Sequence, residues 1–84
     1  MGKDDTVIIY GKTQCPYCDR AKALCEQREF NYTYKQLDVD FTAEEMKEEF
    51  PNARTFPQII FNGAKIGGYD ALESIVAHQD SQGD

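Results

Sequence analysis

Cys15-Pro16-Tyr17-Cys18 decides the reading of this chain, because it stands between an apolar β-branched run and an amphipathic helical pattern. A Cys-x-x-Cys pair at a strand-to-helix junction is redox chemistry before it is anything else. Upstream, Thr6-Val7-Ile8-Ile9-Tyr10 is too short for a helix and lacks polar alternation, which predicts a strand buried on both faces. Gly11-Lys12-Thr13-Gln14 is the loop that leaves it. Pro16 suits a first helical residue, where its missing N–H costs nothing, and this puts Cys15 at the N-cap. Cys18, Ala21, Leu24 and Cys25 then recur at helical spacing to about Glu29, with Asp19, Arg20, Lys22 and Glu26 around the other face.

Beyond that helix, Asn31 to Val39 is rich in aromatic and β-branched residues and predicts a second strand, parallel to the first by a right-handed helical crossover. Thr42-Ala43-Glu44-Glu45 matches a capping box, with Ala43, Met46 and Phe50 as the apolar stripe of a short acidic helix stopped by Pro51. Two antiparallel strands follow, Pro57 to Phe61 and Ala64 to Gly67, around Asn62-Gly63, the strongest short hairpin signal. Asp70-Ala71-Leu72-Glu73 resembles a second capping start, and Leu72, Ile75 and Val76 carry an apolar face to about His78. The order β-α-β-α-β-β-α is that of one α/β domain, a four-stranded mixed sheet covered by three helices.

At 84 residues the chain is expected to be a single domain, 1–84, with flexible tails at 1–5 and 80–84. Fifteen acidic against nine basic residues give a net charge of −6, which repels phosphate backbones and anionic lipid, so neither nucleic acid nor a membrane surface is an expected partner. No apolar run approaches the ~20 residues that span a bilayer. The charged start Met1-Gly2-Lys3-Asp4-Asp5 does not read as a secretory signal, and a reducing, cytoplasmic compartment is the expectation. Met1-Gly2 with Thr6 nominally fits an N-myristoylation pattern, but Thr6 serves equally to open a strand.

A thiol is a nucleophile only as thiolate, and a helix N-terminus favours that form through its free N–H donors and positive dipole end. Cys15, at that end and near Lys12, is therefore expected to have a lowered pKa, its sulfur accepting from the N–H of Tyr17 or Cys18. Cys18, one turn deeper, should remain a thiol. Cys15 then attacks a substrate disulfide and Cys18 resolves the mixed disulfide. Half of a zinc site is the alternative, but structural zinc usually needs a second Cys or His pair, and only Cys25 and His78 remain. No metal is expected. Cys25 shares a helix face with Cys18 but lies ~10 Å further along the axis, out of bridging range. It fills the core beside Leu24, or serves as a regulatory or dimer-forming thiol. His78 reads as a favourable helix-end residue.

With Cys15-Pro16-Tyr17-Cys18 after the first strand, Thr55-Phe56-Pro57-Gln58 opening the hairpin and Gly67-Gly68-Tyr69-Asp70 opening the last helix, the sequence resembles a dithiol glutaredoxin from about Val7 to Val76. The pair between the cysteines differs from the Gly-Pro usual in thioredoxins. The resemblance implies a thioredoxin-like fold, glutathione as reducing co-substrate, and a monomer exchanging with protein disulfides and glutathione mixed disulfides; ribonucleotide reductase is a candidate partner. By the same resemblance Cys15 and Cys18 are catalytic, Lys12 and Tyr17 border bound glutathione, and Thr55, Phe56 and Pro57 form the cis-proline element whose residue 56 backbone pairs with the glutathione cysteinyl unit. Gly68, Tyr69 and Asp70 would hold its γ-glutamyl end, where a helix N-terminus is independently suited to a carboxylate. Asp70 also reads as a plain N-cap.

The chain departs from the family pattern at Ala71, where many relatives have a second acid, and at Phe56, where Val is usual. Arg54 is either a second carboxylate contact or a solvated charge. Two alternatives to a glutathione-dependent enzyme stand beside it: a redoxin reduced by a thioredoxin reductase, and an iron–sulfur scaffold ligated through Cys15.

Overall fold

Val7 and Ile9 point to one side of the first strand, Ile8 and Tyr10 to the other, and each side meets its own layer of helix. That period-two alternation makes the strand the centre of the molecule. In the computed structural model, which describes residues 4–82, it is β1 (Thr6–Gly11), paired in parallel with β2 (Asn31–Gln36) and antiparallel with β3 (Gln58–Phe61). β4 (Ala64–Gly67) pairs antiparallel with β3, giving the strand order β2-β1-β3-β4. Helices α1 (Pro16–Gln27), α2 (Ala43–Glu49) and α3 (Tyr69–Gln82) complete the expected β-α-β-α-β-β-α order.

The α1 and α3 side holds the larger core, Val7, Ile9, Ala21, Cys25, Phe30, Ile59, Leu72 and Val76. Val7, Ile9, Ile59 and Leu72 are fully excluded from solvent, and each contributes about 1.5–3 kcal/mol by burial. On the other side α2 brings Met46 and Phe50 against Tyr10 and Phe41, with Tyr10 edge-on to both rings at 5.0–5.1 Å between centroids. The capping box forms as expected: the Thr42 hydroxyl accepts from the Glu45 N–H at 3.1 Å, and the Glu45 carboxylate accepts from the Thr42 N–H at 2.8 Å.

Element ends differ from the sequence expectation for local reasons. β2 stops at Gln36 rather than Val39, because the Asp40 carboxylate takes the Gln36 N–H at 2.8 Å, Asp38 turns to φ +66°, and Val39 is left 72% exposed. α1 stops at Gln27, and Glu29 adopts φ +60° so that the Phe30 N–H reaches the Cys25 carbonyl and the Glu29 N–H that of Glu26. This is a Schellman ending made without glycine. α3 begins at Tyr69, two residues earlier than its capping pattern suggested, and runs to Gln82, so Asp70 is the second helical residue and not the N-cap, and residues 80–82 of the expected tail are helical.

Asp5, also placed in a tail by the sequence, is tied down: its carbonyl accepts from the Asn31 N–H at 2.9 Å and its carboxylate from Asn62 and Gln79. The Met1-Gly2 pattern lies outside the described residues. Asn62 and Gly63 both have positive φ, as a tight hairpin turn requires. No helix among the described residues is long and apolar enough to cross a membrane.

Candidate active site

The crossover leaves the central strand β1 at its C-terminal end, Gly11, and starts α1 at Pro16, so the cysteine pair sits at that corner of the sheet. Cys15 is the N-cap, in an extended conformation with Pro16 following, and its Sγ accepts from the Cys18 N–H at 3.2 Å. The two cysteines form a disulfide with Cα atoms 5.2 Å apart, within the ordinary bridging range. Cys15 keeps 7% exposure and Cys18 none, so the first sulfur is the approachable one. It is less open than a bare N-cap suggests.

β3, beside β1 in the sheet, brings the far part of the chain to this corner. The Phe56–Pro57 peptide bond is cis and Pro57 is fully buried. Gly67 then turns at φ +109°, and α3 starts alongside. The result is a groove of about 420 Å³ lined by Tyr17, Thr55, Phe56, Pro57, Gly68, Tyr69 and Asp70. Those seven residues come from three separated stretches, and every one was singled out from the sequence.

Lys12 stands outside the lining, with its ammonium 5.6 Å from the centre of the Phe56 ring. Phe56 also packs at 6.4 Å on Phe41, so the aromatic cluster over α2 backs the groove. Arg54 lies elsewhere, in a second groove of about 480 Å³ that adjoins the first through Thr55 and runs along Glu49 to Thr55, Gln58 and Lys65 to Gly67.

Three neighbours were missed by sequence reasoning. Gln58 is a buried polar residue whose amide donates to the Thr55 carbonyl at 2.8 Å. Arg20 lies over the Tyr17 ring at 5.2 Å, and the i, i+3 spacing on α1 was the available signal. Tyr17 in turn meets Tyr69 at 5.7 Å, and the Tyr69 hydroxyl donates to Glu73 at 3.3 Å. Burial, then the Glu73 carboxylate, push the Tyr69 hydroxyl pKa up, keeping it a neutral donor.

Cys25 is far from this chemistry. It is fully buried under α1, and burial followed by the nearby Glu26 charge pushes its thiol from 9.0 to about 12. Among the described residues no three His, Cys, Asp or Glu side chains are grouped to hold a metal ion.

Comparison with known proteins agrees with this geometry. The sequence model of the Glutaredoxin family matches residues 7–66. Glutaredoxin 1 of Rickettsia felis is 39% identical over 71 residues, spanning 80% of this chain and 68% of its own length. The structure of reduced Escherichia coli glutaredoxin superposes with a TM-score of 0.74 at 30% identity, covering 90% of this chain and 98% of that one. A buckwheat glutaredoxin–glutathione complex superposes at 0.73 and 27% identity, covering 94% and 73%. The thioredoxin-like fold, the vicinal Cys15–Cys18 disulfide and these relatives agree that the chain belongs to the glutaredoxin family and is a thiol-disulfide oxidoreductase.

Proposed function

We propose that the chain reduces glutathione mixed disulfides and protein disulfides with glutathione as the electron source. The observation that supports this most is the groove of Tyr17, Thr55, Phe56, Pro57, Gly68, Tyr69 and Asp70, which has the size for a tripeptide-scale ligand and opens beside the first turn of α1. The structural relative solved with glutathione has the same fold.

In the reduced enzyme the Cys15 thiolate, steadied by the Cys18 N–H and the α1 N-terminus, attacks the glutathione sulfur of a mixed disulfide. A Cys15–glutathione disulfide forms and the protein thiolate leaves. A second glutathione thiolate attacks the glutathione sulfur of that adduct, releasing glutathione disulfide and restoring Cys15. With a protein disulfide, Cys15 forms the mixed disulfide, and Cys18, deprotonated as it attacks, displaces the substrate thiol and closes the Cys15–Cys18 bond; two glutathiones then reopen it.

In this reading Lys12 offers its ammonium to the glycine carboxylate, the Phe56 backbone pairs with the cysteinyl unit, and Gly68, Tyr69 and Asp70 receive the γ-glutamyl end. The enzyme works as a monomer in a reducing cytoplasm, with ribonucleotide reductase among its candidate targets. The test is to reduce the purified disulfide form either with glutathione and glutathione reductase or with thioredoxin reductase. Turnover with the first and not the second is expected; the reverse makes the protein a redoxin served by thioredoxin reductase.

A further inference from the structure

Among the described residues Gln58 is the buried polar side chain, 8% exposed, and it spends its amide on one acceptor, the Thr55 carbonyl at 2.8 Å. That carbonyl belongs to the same peptide unit as the Phe56 N–H. The Thr55–Phe56 peptide is trans, and in a trans peptide the C=O and the N–H point in opposite directions. Holding one therefore aims the other.

The two sides of this peptide differ. Gln58 lines the second groove and not the first, whereas Phe56 lines the first and not the second. Among the described residues no hydrogen bond takes up the Phe56 N–H. A donor without an intramolecular partner, next to a ligand-sized groove, is available to a ligand acceptor.

The geometry points to Gln58 as a positioning residue that orients the Thr55–Phe56 peptide so that the Phe56 N–H is presented to the backbone carbonyl of the bound glutathionyl cysteine. This rests on the glutathione reading above and adds the device that prepares its central contact. Without the Gln58 amide, the peptide plane is free to rotate and the ligand must order it on binding. The chemistry at Cys15 does not depend on that plane. The loss therefore falls on glutathionyl recognition and not on thiol reactivity.

The experiment compares the parent protein with Gln58→Met, which keeps the volume and removes the donor, and with Gln58→Glu, which places a carboxylate against the Thr55 carbonyl. KM is measured for a glutathionylated peptide and for the same peptide capped with cysteamine. Reduction of the Cys15–Cys18 disulfide by dithiothreitol is followed in parallel, with thermal unfolding to establish folding. For the loss or misplacement of one ligand hydrogen bond, KM for the glutathionylated peptide should rise about three- to tenfold in both variants. The cysteamine-capped peptide and the dithiothreitol rate should stay at parent values. In ¹H–¹⁵N spectra, glutathione should shift the Phe56 amide strongly in the parent and weakly in the variants.

If the parent prefers the glutathionylated peptide and the variants match it, the assignment to Gln58 is wrong while the glutathione reading stands. An equal loss on both peptides and in the dithiothreitol rate also overturns it, since the bond is then merely structural. A parent that treats the two peptides alike removes the glutathione reading and this assignment together.

Discussion

The backbone N–H of Cys18 donates to the Sγ of Cys15 across 3.2 Å, so the residue that holds the buried sulfur also supports the approachable one. The two thiols are unequal because one caps the helix and the other lies inside its first turn.

From that inequality, Cys15→Ser should lower activity on both glutathionylated and protein disulfides by at least about two orders of magnitude, as loss of a nucleophile does. Cys18→Ser should retain removal of glutathione from mixed disulfides and lose direct reduction of protein disulfides. Steady-state assays on the two substrate types check this, and an equal loss of both in Cys18→Ser contradicts the division of roles.

Cys25 carries a stability signature in alkaline solution. Its folded pKa, about 12, lies above its unfolded value of 9.0, so its contribution is fully present below pH 9 and is lost as pH rises towards about 12. In that window the unfolding free energy should fall by up to about 1.4 kcal/mol per pH unit on its account. Tyr32, pushed to about 12 chiefly by donating to the Glu26 carboxylate at 2.7 Å, declines in the same range. Urea titrations of parent and Cys25→Ala between pH 8 and about 11 separate the two, because only the parent should show the Cys25 share of the slope. Iodoacetamide should leave Cys25 unmodified until the protein is denatured.

Thr42→Ala removes one arm of the capping box and should destabilise the protein by about 1 kcal/mol in chemical denaturation. The effect reaches the site weakly, since α2 contributes Met46 and the following Phe50 to the cluster behind Phe56. Reduction of the Cys15–Cys18 disulfide should be nearly unchanged.

Gly11 lies under the Tyr34 ring, where an added Cβ would come 2.7 Å from Cζ. Gly11→Ala should therefore cost about 1–3 kcal/mol through overpacking. The same change in a Tyr34→Ala background should cost much less, and an additive double-mutant cycle would show that the ring is not the obstacle. The Tyr34 hydroxyl also donates to the Lys12 carbonyl at 3.3 Å, so the first variant should disturb the Lys12 loop as well.

Local chemistry was legible wherever a short stretch decides its own conformation. Pro16 and Cys15 announce a helix start, Thr42 with Glu45 a capping box, and Asn62-Gly63 a tight turn, and all three occur. Boundaries failed where a side chain competes with the backbone: the Asp40 carboxylate ends β2 at Gln36, and Glu29 closes α1 in a conformation usually left to glycine. Asp70 was misplaced by two positions, because α3 already starts at Tyr69, directly after Gly68, where an added Cβ would lie 3.5 Å from the Pro57 carbonyl oxygen of a distant stretch that the local pattern cannot express.

By itself the sequence determined the order of elements and the placement of Cys15 at the helix N-cap with Cys18 inside the first turn, since both follow from residues within one helical turn or one strand of each other. Tertiary structure decided which residues share a groove. Pairing of β1 with β3 brings Phe56-Pro57 into one groove with Tyr17, which stands between the two cysteines in sequence, and packing of α3 adds Gly68-Tyr69-Asp70. It also decided that Gln58 lines the adjoining second groove with its amide on Thr55, a bond set by side-chain burial that no spacing rule encodes.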